Sequence, residues 1–130
     1  MERLLADRET PFTDYRVEDH DGLPAAVFDG LPPGQSSLLS HVLYPDHAFI
    51  RGLYGDVMKV SDGEAPWMSY EDDFAKTIFG PVSALIETKL PTGQTGAHVI
   101  MKVPLDDIKF LLLKWRIECM RWESNRQTTP

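Results

Sequence analysis

DDIKFLLLKWRIECMRWE, residues 106–123, is the stretch of sequence on which the predicted fold depends. It opens with two aspartates, and Lys114, Arg116 and Arg121 lie toward its carboxyl end. This distribution suits the dipole of an α-helix, which favours negative charge at the amino end and positive charge at the carboxyl end. We therefore predict a helix over residues 106–123.

Apolar side chains occupy two separate sides of this predicted helix, at about 100° of rotation per residue. One side, called here the first stripe, collects Ile108, Leu111, Leu112, Trp115, Cys119 and Trp122. The other side, called the second stripe, has the spacing of a coiled-coil seam and collects Phe110, Leu113, Ile117 and Met120.

A helix at the edge of a two-layer fold needs only one apolar stripe to cover its sheet. The second stripe therefore has two explanations. It packs against a neighbouring loop or helix of the same chain, or it meets a second copy of the protein or another protein partner. Two heptads are too short for a coiled coil that is stable alone, so such an interface would need support from the rest of the domain.

A β-hairpin is predicted immediately before this helix. Apolar residues alternate with polar ones over residues 81–90 and again over 97–103, and the glycines of segment 91–96 suit the turn between them. His98 alternates with the apolar residues of the second strand, so we expect it on the opposite face of the sheet. Pro104 lacks an amide N–H and ends that strand.

The first two thirds of the chain predict short elements separated by turns. The patterns indicate a hairpin at 15–18 and 23–28, a strand at 36–44 with a short helix as the alternative, two strands at 48–51 and 57–60, and a helix at 69–79 that Ser69 begins and Gly80-Pro81 ends. Residues 1–10 are expected to form two helical turns or a mobile arm, and 124–130 a polar tail.

The predicted fold class is α+β in a single domain. We expect an antiparallel sheet of about five to seven strands built from hairpins, with two main helices, 69–79 and 106–123, packed against it. The single cysteine cannot form an intramolecular disulfide, which indicates a reducing compartment. No apolar run approaches the roughly 18 residues that span a bilayer, so we expect a cytoplasmic protein without a membrane role.

The net charge of −7 is concentrated in one half of the chain. Residues 1–65 carry twelve acidic and five basic side chains, whereas residues 66–130 carry eight of each. Direct nucleic-acid binding is disfavoured, because phosphate neutralisation needs a basic surface. An acidic surface can instead meet a basic partner or imitate a phosphate backbone. The densest acidic patch is formed by Asp14, Glu18, Asp19 and Asp21.

Segment 41–47, HVLYPDH, holds the densest group of chemically reactive side chains. With two aromatic residues that could line the same pocket, the group consists of His41, Tyr44, Asp46, His47, Tyr54 and Trp67. Such side chains can bind a small molecule or support acid–base chemistry. Their spacing matches no zinc motif, and an extended strand would hold the two histidines about 20 Å apart. We therefore predict no metal site, no cofactor and no catalytic residue.

These observations favour a non-enzymatic interaction protein of the adaptor or inhibitor type over an enzyme. The prediction is a homodimer, or a complex with a protein partner, formed through the second stripe, with the acidic half available to a basic surface. The alternatives are a small-molecule-binding protein or small enzyme with a pocket near His41 and His47, and an acidic mimic of nucleic acid that inhibits a nucleic-acid-binding protein.

Overall fold

A computed structural model of the chain describes residues 12–89 and 99–128. Its elements, in chain order, are β1 (Arg16–His20), β2 (Leu23–Val27), α1 (Pro33–Ser40), α2 (His47–Ser61), β3 (Met68–Glu71), β4 (Ala75–Phe79), β5 (Ser83–Thr88), β6 (Ile100–Pro104) and α3 (Leu105–Thr128). The α+β class predicted from the sequence is confirmed.

The strands form two separate antiparallel sheets and not the single larger sheet that was predicted. Strands β1 and β2 make one hairpin, and the other sheet has the order β3-β4-β5-β6. Asp21 and Gly22 join β1 to β2 with φ angles of 58° and 86°, as expected for a tight hairpin turn. Sequence alternation identifies strands but does not say which free edges meet, which is why the division was missed.

Helix α3 and the covered face of the four-stranded sheet supply most of the core. Ile108, Leu111, Leu112 and Trp115 of the first stripe are fully buried, and the Trp115 indole Nε1 donates a hydrogen bond of 3.0 Å to the Tyr44 carbonyl oxygen. On the opposite face of the sheet the alternating side chains remain exposed, including Ile78, Leu85 and Ile100. The helices of the described residues therefore cover only one face of this sheet.

Helix α3 also holds the beginning of the described chain. The Lys114 Nζ atom donates a hydrogen bond of 3.1 Å to the carbonyl oxygen of Thr13. The ring of Tyr15 lies edge-on to Trp115, with 5.7 Å between the ring centroids, and also contacts Phe28. Residues about a hundred positions apart are thereby fixed against each other.

The β5–β6 hairpin and the helix that follows it are confirmed. Strand β5 lies within the predicted strand 81–90, whereas β6 reaches one residue beyond the predicted 97–103, to Pro104. Helix α3 extends through Thr128 into the segment that was expected to be a polar tail. The predicted turn at 91–96, His98 and the amino-terminal arm at 1–10 lie outside the described residues.

The strand predicted at 36–44 is wrong, and the helical alternative is correct for its first half. Helix α1 spans Pro33–Ser40 and begins with a proline in its first turn, where no amide N–H is required. Leu38, Leu39, Val42 and Leu43 are all buried. Leu38 and Val42, like Leu39 and Leu43, are four residues apart, which is a helical spacing. Apolar residues at the even-numbered positions 38, 42 and 44 also suit a strand, and that pattern was misleading.

The two strands predicted at 48–51 and 57–60 are also wrong, because one helix, α2, covers both. Asp46 caps it: its Oδ1 atom accepts hydrogen bonds from the amide N–H groups of Ala48 and Phe49, at 2.9 and 3.3 Å. The buried residues Ile50, Leu53, Val57 and Val60 have helical spacing. Gly52 and Gly55 suggested turns in the sequence but lie in the helix.

The helix predicted at 69–79 is replaced by the hairpin of β3 and β4. Asp72, which lies in the first turn of that predicted helix, instead stabilises the turn between the strands, because its Oδ1 atom accepts hydrogen bonds of 2.8 Å from the N–H groups of Phe74 and Ala75. Ala75, Thr77 and Phe79 are buried in strand alternation. A turn stabilised by an aspartate and a helix start therefore share the same local sequence signal.

No helix within the described residues is both long and apolar enough to cross a membrane.

Candidate functional site

The second stripe of α3 lies on the side of the helix opposite the core. Leu113, Ile117 and Met120 are 37%, 59% and 48% exposed, respectively, and Phe110 is half-buried. No element within the described part of the chain covers the first three. The structure therefore places them where they can contact another molecule, and whether they do so stays a prediction.

Both signs of charge border the second stripe. Lys114 donates to the Thr13 carbonyl and lies over the Tyr15 ring, with its Nζ atom 4.4 Å from the centroid. Glu118 accepts from the indole Nε1 of Trp122 at 3.0 Å and pairs with Arg121 at 3.3 Å. These neighbours occupy fixed positions around the apolar residues, and their charges offset one another.

His41, which was predicted to line a pocket, is a buried link between α1 and the β3–β4 hairpin. Its Nδ1 atom lies 3.1 Å from Asp72 Oδ2, and its Nε2 atom lies 2.5 Å from the Thr77 hydroxyl oxygen. The ring stacks on Tyr70, with 5.0 Å between the ring centroids. Both ring nitrogens are therefore engaged within the protein.

The electrostatics of this link fix the direction of its hydrogen bonds. Burial lowers the pKa of His41 below its ordinary value, although the Asp72 carboxylate opposes the shift. Partial burial acts to raise the pKa of Asp72, but the N–H of Ala75 and the His41 ring outweigh it and the pKa is lowered. A neutral imidazole beside a carboxylate must donate from Nδ1. Nε2 then accepts, and the Thr77 hydroxyl donates to it.

Hydroxyl, imidazole and carboxylate follow one another here in the order used by nucleophilic hydrolases. The Thr77 side chain, however, is fully buried, so its hydroxyl has no path to a substrate. A structural role explains the arrangement: the buried His41 and Thr77 and the partly exposed Asp72 satisfy one another and join two elements.

A cavity of about 270 Å³ lies beside this link. His20, His41, Tyr44 and Asp72 contribute to its lining. A larger cavity of about 670 Å³, between β2 and α1, shares the His20 lining and contains no residue of the predicted pocket. His41 offers no free ring nitrogen to either cavity.

The other histidine of the predicted pocket, His47, belongs to a different cluster. Its Nδ1 atom lies 2.5 Å from Glu123 Oε2, so it joins the start of α2 to α3. Asp46, His47 and Glu123 are the one group within the described residues whose three potential metal-ligand atoms lie within 4.8 Å of one another. Helix capping by Asp46 and the pairing of His47 with Glu123 account for these positions without an ion.

The six residues of the predicted pocket therefore do not converge. His41 and Tyr44 border one cavity, Asp46 and His47 belong to the cluster with Glu123, and Tyr54 and Trp67 line neither. Trp67, 59% exposed, lies immediately before β3. The turn at Pro45 separates the two histidines onto different helices, which a single extended strand could not have shown.

The predicted acidic patch is in part neutralised by its own neighbours. Arg16 pairs with Glu18 and with Asp29, and His20 lies 3.2 Å from Glu18. Asp19 accepts the Gly22 N–H at 2.8 Å and thereby stabilises the hairpin turn. Asp14 and Asp21 are exposed. The patch is thus a weaker attractor of cations than its sequence indicates.

Cys119 is buried, as expected for the first stripe. Burial, with smaller contributions from Glu123, Asp46 and Glu118, raises the pKa of its thiol to about 12. A thiol with so high a pKa is a poor nucleophile at neutral pH.

Sequence reasoning missed the partners of both histidines. Asp72 and Thr77 lie 31 and 36 residues from His41, and Glu123 lies 76 residues from His47. No local spacing rule links such positions. The one usable signal was the aspartate pair 72–73, which was assigned to a helix start and not to a turn.

Comparisons with family models, with curated proteins and with solved structures give no match for this chain.

Proposed function

We propose that this protein is a non-enzymatic interaction module that forms a homodimer through the second stripe of α3. The observation that carries the proposal is the exposure of Leu113, Ile117 and Met120 in one row, on a helix whose other side is buried from Ile108 to Cys119. An apolar row that lies outside the core is more consistent with an interface than with stabilisation of the monomer.

A second copy is the occupant that the charges favour. The borders of the stripe carry both signs, with Lys114, Arg116 and Arg121 against Glu118. Two copies can therefore approach across a two-fold axis without the repulsion that the acidic amino-terminal half would cause. Pairing through α3 leaves that half free to meet a basic partner, as in an adaptor or inhibitor.

The stripe is short, so the dimer is expected to be weak. From Leu113 to Met120 the helix rises by only about 10 Å. Interfaces that bury less than roughly 1,200 Å² are mostly transient. We expect association that increases with concentration, and not a permanent dimer.

The test is the mass in solution, measured by light scattering over a concentration series. Wild type should approach the dimer mass, and Ile117→Asp should stay a monomer with an unchanged circular dichroism spectrum. Val82→Asp is the matched control: Val82 is apolar and 79% exposed but lies outside the stripe, so this variant should dimerise normally.

Other outcomes contradict the proposal. A wild-type monomer at every concentration would exclude self-association. Loss of the dimer in Val82→Asp with its retention in Ile117→Asp would move the interface to the sheet side of the molecule. An unfolded Ile117→Asp variant would show that the stripe contributes to the core.

A further inference from the structure

A groove of about 330 Å³ runs between helix α2 and strand β3. Its base is formed by Leu53 and Met68, and the rings of Phe49 and Tyr70 stand 5.4 Å apart between their centroids. Leu53 is buried, whereas Phe49 is 37% exposed. This α2–β3 groove therefore offers an apolar base with aromatic side chains at the surface.

Strand β3 borders this groove and, among residues 12–89 and 99–128, is an edge strand of its sheet. The Asp72 N–H donates to the Ala75 carbonyl at 3.0 Å, so Asp72 occupies a hydrogen-bonded position. Hydrogen-bonded and non-hydrogen-bonded positions alternate along an antiparallel strand, and therefore Tyr70 and Met68 also bond to β4. Ser69 and Glu71 lie between these positions. Their N–H and C=O groups consequently point away from β4, where an added strand could form up to about four backbone hydrogen bonds.

Gly52 keeps the groove open. It lies in the interior of α2, where glycine weakens a helix, and a Cβ atom added there would meet nothing within 4 Å. Packing inside the protein therefore does not explain the glycine. Its lack of a side chain leaves room for another backbone to approach the helix.

The groove also carries negative charge. Asp56 lines it one helical turn beyond Gly52 and is exposed. Glu71 lies at the end of β3, and Lys89 offsets its charge at 2.8 Å. Asp56 is therefore the acidic side chain available to a basic group of a ligand.

We propose that the α2–β3 groove binds an extended peptide of a partner protein as an added strand on β3. One apolar side chain of the peptide lies over Leu53, against the contacting rings of Phe49 and Tyr70. A basic side chain two residues away lies at Asp56, because alternate residues of a strand face the same side. This surface is separate from the second stripe, and the inference does not depend on the dimer.

The probe is a fluorescein-labelled peptide, Thr-Val-Thr-Arg-Thr-Val-Thr, in which valine and arginine two residues apart face the same side of an extended strand. Its binding is followed by fluorescence anisotropy at about 0.15 M salt, where weak long-range attraction is screened. Gly52→Val should weaken binding at least about tenfold by filling the groove. Gly55→Val is the matched control, because Gly55 is also an exposed α2 glycine with open space above it but does not line the groove.

Two further probes test the chemistry. In an added antiparallel strand, the residues opposite Ser69 and Glu71 face away from the groove and make the backbone hydrogen bonds. Replacing the threonine between the first valine and the arginine by proline keeps the charge and the groove-facing side chains but removes one N–H donor, and should weaken binding at least about tenfold. Asp56→Asn should weaken the arginine peptide more than a peptide of alternating valine and threonine. In the complex, the Ser69 and Glu71 amides should exchange more slowly with deuterium.

The proposal is overturned if neither the arginine nor the threonine peptide binds saturably. Equal weakening by Gly52→Val and Gly55→Val would also overturn it. If Gly52→Val instead lowers the mass of the protein in solution, the groove receives a second copy of this chain and not a partner peptide. Ile117→Asp should lower the mass of the protein in solution but leave peptide binding unchanged, so failure of the dimer and failure of the groove give different results.

Discussion

The Nδ1 atom of His41 lies 3.1 Å from Oδ2 of Asp72, and this contact joins the end of α1 to the β3–β4 turn. The same carboxylate accepts two backbone N–H groups of its own turn through Oδ1. One side chain thus shapes a hairpin and fixes a helix against it. The pair holds two elements together while the Thr77 hydroxyl satisfies the other ring nitrogen.

His41 should make the stability of the protein depend on pH. Its folded-state pKa lies below the ordinary 6.5, so the unfolded chain binds the proton more readily. The stabilisation from the neutral ring is complete above about pH 6.5 and is lost progressively below it. Urea unfolding from about pH 7.5 to 5.5 should therefore show a decreasing free energy of unfolding, with Asp72 still ionised.

The matched variants are His41→Gln and His20→Gln. His41→Gln should cost about 1–3 kcal/mol at pH 7.5, because buried hydrogen bonds are disturbed, and this cost should shrink as the pH falls. His20 lies in the exposed hairpin, so His20→Gln should retain the wild-type slope. An unchanged slope in His41→Gln would assign the pH dependence to other groups.

Asp46 is expected to stabilise α2 as its capping residue. Asp46→Ala should lower the free energy of unfolding by about 1 kcal/mol, whereas Asp46→Asn should lose less, since asparagine also caps helices. Asp62, an exposed aspartate at the other end of α2, is the control. Asp62→Ala should change stability by less than about 0.5 kcal/mol. Equal losses at both ends would exclude a capping effect.

Cys119 should be protected from alkylation in the folded protein. Burial and a thiol pKa near 12 leave very little thiolate at neutral pH. Iodoacetamide should react with the native protein at least about 100-fold more slowly than with the same protein in denaturing urea. Similar rates in both conditions would show that α3 opens readily.

The parts of the fold that were predictable from the sequence are those where the local sequence signals agree with one another. Helix α3 has a full apolar period and a charge distribution that agrees with it. Helix α2 has the apolar period too, but Gly52 and Gly55 suggested turns that the packing of Leu53 and Val57 overrides. At residues 69–72 the same serine and aspartate suit a helix start and a hairpin turn equally.

The candidate sites also divide into those that were predictable from the sequence and those that were not. The second stripe was predictable because it repeats within one helix. The partners of His41 and His47 were not, because tertiary packing brings them together from distant segments. The α2–β3 groove depends on two elements that were both assigned to the wrong class, so its residues could not have been grouped from the sequence.

The contact between Thr13 and Lys114 has a consequence for the order of events during synthesis. Tyr15 and Phe28 emerge from the ribosome early, but Trp115 is translated about a hundred residues later. The β1–β2 hairpin can bond to α1 early, through Ser36 and Ser40, but it lacks its contacts with α3 until that helix has emerged. Long-range contacts of this kind slow folding. During that interval the aromatic rings that α3 covers in the folded protein are exposed in the nascent chain, and transiently exposed apolar surface of this kind promotes aggregation.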